Sequence, residues 1–416
     1  MDFNQIVTQA NRNGMLTVQP RMGFDCPDKM LNGLTAVKNA NATTMGTITL
    51  DSYTRVDDIV NAQKSLDAGH ILNGYPIINH GSRKCIDLLN TIQDDYFMVQ
   101  VRHGSSLPNH IFECLVESGV MATEGGPISY CLPYSRTPLK DAVNSWRQCV
   151  NMAAIGGAFG PLHIESFGGC MLGQMCPPGL LVALAIIEGV FFERYGLTSL
   201  SLSYAQQTSV SQDIGAVRAL RELATKWLKK AEWHVVVYTY MGVFPKTIEG
   251  ATDLLKASVE ICKYGHAERL ITKTVKEAFR IPTIVENIAS LERARKHWDS
   301  LGEYNSYKDS TLFFHEIYTE ATNIISHVLN LDSDVGEAIL KAFSLGIIDV
   351  PYCLHFDNKG KSRAYIDAAG ILQWCDVGNM PIEIKQERGG INSLDPFKFL
   401  GMLSSIESKY DAHYLK

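Results

Sequence analysis

The sequence has no C-x-x-C pair among its ten cysteines, no block of lysine and arginine, and no uninterrupted apolar run long enough to cross a bilayer. Each absence excludes something. Scattered cysteines leave neither a zinc module nor a thioredoxin-like redox motif. The opening Met1-Asp-Phe-Asn-Gln5 has no charged-then-apolar leader pattern, so reduced thiols and a cytoplasmic protein are expected. A net charge of -6 with no clustered cations argues against a nucleic-acid partner, whose phosphates require a concentrated basic face. The most apolar stretch, 179–192, is broken by Glu188 and falls short of the roughly 20 residues that a spanning helix needs. It is expected to be a buried helix, and no membrane partner is expected. Neither G-x-G-x-x-G nor G-x-x-x-x-G-K-[ST] occurs, His315-Glu316 lacks the second histidine of H-E-x-x-H, and His163-Ile-Glu165 has no cysteine pair downstream. Dinucleotide, P-loop and metal sites are therefore not expected.

What is present is ordinary globular material, 46% hydrophobic and 20% charged over 416 residues. Short β-rich runs alternate with helical patterns, at 15–19, 43–50, 76–79, 97–101, 120–123, 162–166, 199–203, 235–239 and 270–273. Helical periodicity covers 57–68, 109–117, 139–155, 180–195 and 214–229. Alternating strands and helices predict a parallel sheet closed as an α/β (β/α)8 TIM barrel over 1–290. Nine candidate strands exceed the eight required, so 76–79 or 270–273 must be a loop or lie outside the barrel. From about 281 the pattern turns to longer helices at 291–301, 312–329 and 335–346. In the second of these Leu312, Phe313, Ile317, Ala321, Ile324, Ile325 and Val328 share one face. A smaller C-terminal helical and α+β extension, 291–416, is expected to pack on the barrel.

Barrel chemistry sits on loops at the C-terminal ends of the strands. Arg21, Arg55 and Arg102 each follow an early strand. One such arginine is ordinarily a solvated end; three in equivalent places point to a dianionic ligand, because guanidinium forks grip carboxylates or phosphates through paired bonds. The stretch Glu124-Gly-Gly-Pro-Ile-Ser-Tyr-Cys-Leu-Pro-Tyr134 is a shaped loop, its glycines letting backbone approach a ligand and its prolines removing donors. A carboxylate with the hydroxyls of Tyr130 and Tyr134 can orient a bound molecule. Alone, this stretch reads first as a structural turn, and its neighbours along the chain decide the matter.

With these residues in line, the chain resembles the epsilon-subunit family of glutamate mutase, also called methylaspartate mutase. The resemblance runs from about Leu16 to about Pro381. It rests on Gln19-Pro-Arg-Met-Gly23, Asp51-Ser-Tyr-Thr-Arg55, Leu72-Asn-Gly-Tyr-Pro76 with Asn79, Arg102-His-Gly104, Glu124 through Tyr134, Glu165-Ser-Phe-Gly168 and Pro177-Pro178. Further matches are Gln212-Asp213, Met241-Gly-Val-Phe-Pro245, Lys273-Thr-Val-Lys-Glu277 and Ile281-Pro-Thr283. It implies a (β/α)8 barrel facing a separate small cobalamin-binding subunit, and an adenosylcobalamin-dependent radical isomerisation of glutamate to 3-methylaspartate. It further implies a homodimer of this chain within a heterotetramer. Arg21, Arg55 and Arg102 match the arginines that grip the two carboxylates of an amino dicarboxylic acid. Glu124 matches the partner of the ammonium, Tyr130 and Tyr134 the carboxylate side, Glu165 the pocket wall, and Lys273 and Glu277 contacts to the adenosyl part of the cofactor.

The chain departs from the family's pattern at Pro127 and Cys131, and at Ser203-Tyr-Ala-Gln-Gln-Thr-Ser-Val210, which replaces a glycine-rich loop. The family's N-terminal extension is also expected to be absent. The cobalamin signature D-x-H-x-x-G is absent. Its nearest string, Asp411-Ala-His413, is expected to be a frayed tail, so the cobalt's lower ligand is expected from another polypeptide. The alternative is a cofactor-free lyase or isomerase barrel in which Glu124 is a general base.

Overall fold

The computed structural model describes residues 1–158, 160–171, 175–303, 307–384 and 396–415. Its frame is a parallel sheet of β1 (Thr17–Gln19), β2 in two pieces (Thr43–Thr44 and Gly46–Thr49), β3 (Val99–Arg102), β4 (Ala122–Gly125), β5 (His163–Ser166), β6 (Ser199–Ala205), β7 (Glu232–Tyr238) and β8 (Arg269–Ile271). Thr43–Thr44 pairs with β1 and Gly46–Thr49 with β3, so the two ends of the strand order meet at Met45 and the sheet closes as a (β/α)8 barrel. The expected continuous strand 43–50 is thus one strand with a break at Met45.

The surplus strand is 76–79. Tyr75 reaches Leu50 through a single bridge, and Pro76, with no N–H to give a ladder, stands at the start of the helix Ile77–Ile92. The run at 270 belongs to the barrel as β8, and it starts one residue earlier, at Arg269.

The stretch broken by Glu188 is a helix, Pro178–Arg194, buried from Pro178 to Phe192 against the barrel and the helix Ser310–Leu329. None of the described helices is long and apolar enough to cross a membrane. Within Ser310–Leu329 the buried face is Ile317, Ala321, Ile324, Ile325 and Val328, whereas Leu312, assigned there by its spacing, is 60% exposed. Near the end of the chain, Arg363–Ile366 and Leu372–Asp376 form an antiparallel hairpin tied to the barrel by Gln212, which exchanges hydrogen bonds with the backbone of Leu372.

The barrel interior is polar where most barrels carry branched aliphatics. Gln19, Thr47, Gln100, Ser201, His234 and Arg269 are all buried inside it. The N-terminal helix Phe3–Arg12 plugs the lower end: the Arg269 guanidinium lies 5.0 Å over the Phe3 ring, and Asn4 Oδ1 is 2.7 Å from His234 Nδ1.

The expected frayed tail is instead docked. Asp411 is buried and accepts from Lys246 N (2.8 Å), Thr247 N (3.0 Å) and Thr247 Oγ1 (2.5 Å), which fixes the start of the helix Ile248–Gly265. Asp411→Ala is expected to cost roughly 1–3 kcal/mol and to free the terminal segment, read as a lower Tm and faster proteolysis of the C-terminus.

Candidate functional site

Strand register sets the first pair of groups. Glu124 of β4 and Glu165 of β5 are Cα partners, so their side chains enter the barrel side by side. Two buried carboxylates at this spacing require donors and cations around them, and the neighbouring strands supply both. Arg102, the last residue of β3, places Nε 2.7 Å from Glu124 Oε2. Tyr238, the last residue of β7, points its hydroxyl between the carboxylates, 2.9 Å from Glu124 Oε2 and against Glu165 Oε1. Tyr130 donates to Glu124 Oε1. Below them, Glu165 Oε2 receives Arg269 Nη2 and, at 3.2 Å, Gln100 Nε2.

Arg269 is fully buried and uses its whole fork. Nη1 reaches Gln19 Oε1 at 2.5 Å, Nη2 also reaches Ser201 Oγ at 3.1 Å, and Nε donates to His234 Nε2 at 3.1 Å. His234 therefore carries its hydrogen on Nδ1, toward Asn4. Burial, followed by the Arg269 charge, holds His234 well below the ordinary histidine range. A buried chain of polar contacts thus runs from the plug at Asn4 through His234, Arg269, Glu165 and Tyr238 to Glu124 and Arg102.

Arg102 is the incomplete member. Its Nη1 is buried with no hydrogen-bond partner among the described residues, and its Nε meets Glu124 as an ion pair without hydrogen-bond alignment. Burial works against its charge, but Glu124, Tyr238, Tyr130 and Glu165 hold its pKa well above the ordinary arginine value. The aromatic faces of Tyr238, at 5.0 Å, and Phe167, at 6.0 Å, flank the guanidinium. A fixed, desolvated cation with an unused donor is a place for an anion.

The other arginines stand at the same end of the barrel. Arg55 closes the short helix Ser52–Arg55 after β2 and is anchored by Nε to Leu50 O at 2.9 Å. Burial lowers its pKa; Tyr130 opposes this, while Arg21 and Arg102 lower it further. Arg21, two residues past β1, lies 3.7 Å from Glu277 Oε1, and Lys273, two residues past β8, lies 3.1 Å from the same oxygen. Burial pulls the Lys273 ammonium down to about 8, against the attraction of Glu277. Tyr134 is 52% exposed at the rim, its ring 6.2 Å from Tyr130, and burial of its hydroxyl end raises it to about 12. His103 is buried beneath, stacked 5.8 Å from Trp146, and burial together with Arg55 lowers it to about 3.

The family model for the methylaspartate mutase E chain matches residues 1–391. The chain belongs to that family. It is 29% identical over 395 residues to the glutamate mutase epsilon subunit of Escherichia coli O157:H7, covering 91% of this chain and 81% of that one. It is also 29% identical over 402 residues to the epsilon subunit of Desulfitobacterium hafniense (92% and 82%), and 28% over 389 residues to that of Treponema denticola (90% and 79%).

Two departures from the family's pattern have structural accounts. Cys131 directs its thiol to Thr137 O at 3.2 Å and toward His355 Nε2 at 3.8 Å, joining the loop to the C-terminal segment. Of Ser203–Val210, the first three residues finish β6, Val210 opens the next helix, and the turn between is fixed by side chains: Gln206 Oε1 takes Tyr240 N at 3.0 Å, Asp213 takes Gln207 N at 2.9 Å, and Lys409 Nζ reaches Thr208 O at 3.0 Å. Nothing in the structure explains Pro127.

Sequence reasoning missed Tyr238, Arg269, Gln19 and Gln100 as members of this network. Their signal was polar side chains at inward, alternating positions of short strands. Arg269 in particular stands one residue before the run expected as the strand 270–273.

Proposed function

We propose that the chain is the catalytic subunit of an adenosylcobalamin-dependent glutamate mutase, interconverting L-glutamate and 3-methylaspartate. A separate small subunit supplies the cobalt's lower ligand, and two copies of each chain form the assembly in the cytoplasm. The observation that carries the reading is Arg102: a buried guanidinium with an unused Nη1, paired to Glu124, at the mouth where Arg21 and Arg55 also stand.

In this reading Arg102 and Glu124 neutralise each other until an amino dicarboxylic acid enters. One substrate carboxylate then takes the free donors of Arg102, the other meets Arg55 and Arg21, and the ammonium takes Glu124. Each charge-assisted hydrogen bond contributes roughly 1.5–3 kcal/mol. Three cations against two carboxylates, with one carboxylate reserved for the ammonium, select an amino diacid over a simple dianion. Tyr130 and Tyr238 hold the Glu124 carboxylate in place from two sides. Tyr134, at the rim, covers the carboxylate side of the bound substrate.

Lys273 and Glu277, a donor and an acceptor paired at 3.1 Å, have the chemistry to hold the hydroxyls of the adenosyl group and would be the residues to do so. Adenosylcobalamin, when bound, supplies the radical that abstracts the substrate hydrogen; the protein contributes position and exclusion of water. The expected result with this chain, a small D-x-H-x-x-G protein, adenosylcobalamin and glutamate is a Co(II)-radical signal and 3-methylaspartate. Their absence sinks the proposal, and turnover of a dicarboxylate without cobalamin supports a cofactor-free barrel with Glu124 as base.

A further inference from the structure

The apolar helix Pro178–Arg194 carries one acidic residue in its interior, Glu188, and it is fully buried. Its carboxyl is turned to the loop after β4 and to the end of β5. Oε1 accepts from Ile128 N at 3.1 Å and Ser129 N at 2.9 Å, while Oε2 lies 3.1 Å from Ser129 Oγ and 3.0 Å from Ser166 Oγ. Room for it is made by Gly126, where a Cβ would lie 2.1 Å from the carboxyl carbon. Glu188 therefore fastens two pieces of the site at once. One is the turn that carries Tyr130, whose N–H closes on Gly126 O at 3.2 Å. The other is the end of β5, where Ser166 stands between Glu165 and Phe167, and the Phe167 ring lies 5.2 Å from Tyr130 and 5.4 Å from Tyr238.

Among the described residues, no cation shares this junction. From the turn, the Tyr130 hydroxyl is turned to Glu124; from β5, Glu165 is turned to Arg269; the packing residue from the helix Leu139–Ile155 is Trp146, which does not titrate. Ser166 Oγ also lies 3.2 Å from Ala185 O and takes Gly168 N at 3.3 Å. In the neutral acid a proton on Glu188 Oε2 can be donated to Ser166, and the serine then gives its single hydrogen to Ala185.

We propose that Glu188 is a positioning residue for the substrate site, which locks the Tyr130 turn against the end of the Glu165 strand. This rests on the reading of Tyr130 and Glu165 as part of the glutamate pocket. Burial pushes Glu188 up to about 7. A carboxyl raised above its unfolded value favours the folded state below that unfolded value and loses the contribution as pH rises through the folded one. On the alkaline side the junction gains a buried charge that hydrogen bonds alone must hold, and the turn loosens. Asp213, beneath the loop after β6 and facing Tyr204, Gln207 N and Lys409, is raised to about 7 by burial and carries the same sign. Only the part of a pH effect that Glu188→Gln removes belongs to Glu188.

The test uses the full chain, as wild type, Glu188→Gln and Glu188→Ala, between about pH 5 and about pH 8.5, so that the upper part of the unfolded titration and the folded one fall within the range. Three quantities are read: Tm, the near-ultraviolet circular dichroism of the Trp146–Tyr130–Phe167 cluster, and the dissociation constant of L-glutamate by calorimetry. In the wild type, glutamate affinity is expected to fall about tenfold across that range, with loss of dichroism. Glu188→Gln is expected to keep most of its affinity and dichroism at the alkaline end. Glu188→Ala is expected to bind weakly throughout. The proposal is overturned if Glu188→Gln keeps the wild-type pH slope in Tm and dichroism, or if at the acid end it is as disordered as Glu188→Ala. If no variant binds glutamate while the dichroism behaves as expected, the substrate assignment fails and the role of Glu188 in the turn stands.

Discussion

Arg102→Lys is expected to weaken L-glutamate binding by roughly a hundredfold to a thousandfold, since losing two charge-assisted bonds costs about 3–4 kcal/mol. The substitution keeps the charge and a buried stem, so Glu124 retains an opposite charge and the fold has no unpaired carboxylate to accommodate. What disappears is the fork. Arg102 now meets Glu124 through Nε and presents Nη1 free at the same time; one ammonium cannot do both from a single point. Arg21→Lys is the contrasting variant. Arg21 is 39% exposed and only loosely paired to Glu277 at 3.7 Å, so a loss of about tenfold or less is expected there. Calorimetric titration of the full chain with glutamate reads both. An Arg102→Lys protein that binds within about threefold of wild type sinks the assignment of Arg102 as the principal carboxylate anchor.

The ordering of these two arginines was not available from the sequence, where Arg21, Arg55 and Arg102 occupy equivalent places after three strands. The difference is burial. β3 ends at Arg102 itself, inside the ring, while Arg21 and Arg55 stand on the segments that leave the barrel. Strand ends are where one-dimensional reading is weakest, because a single residue decides whether a side chain is in the ring or on its rim. The same uncertainty hid Tyr238, which ends β7 and lies between the two carboxylates.

The helix bearing Glu188 was legible as buried because its apolar run was uninterrupted on both sides of one acid. That the acid served the loop at 126–130 was not, since the two segments are some sixty residues apart and meet only through the closure of the barrel. Nor could the sequence tell Pro76 the helix start from Pro76 the strand start: a short apolar run after a proline fits either until the sheet is seen to be full. The closed barrel itself was legible, since the alternation of short strands with long helices allows little else at this length.

Arg269→Met is expected to be the most destabilising single change in the barrel, at roughly 3–5 kcal/mol, because it leaves the fully buried Glu165 without the cation beside it. Methionine fills much of the volume, so the loss is chiefly electrostatic and separable from packing. Adding Glu165→Gln to Arg269→Met removes the stranded charge, and the double variant is expected to recover about half of the lost stability, read as denaturant midpoint at constant m-value. The remainder belongs to Gln19, Gln100, Ser201 and His234, which lose the donors they now receive. A double variant no more stable than Arg269→Met places the whole cost in those neutral hydrogen bonds. It would then follow that Arg269 is retained for holding the barrel's polar interior together, with the charge on Glu165 incidental to its stability.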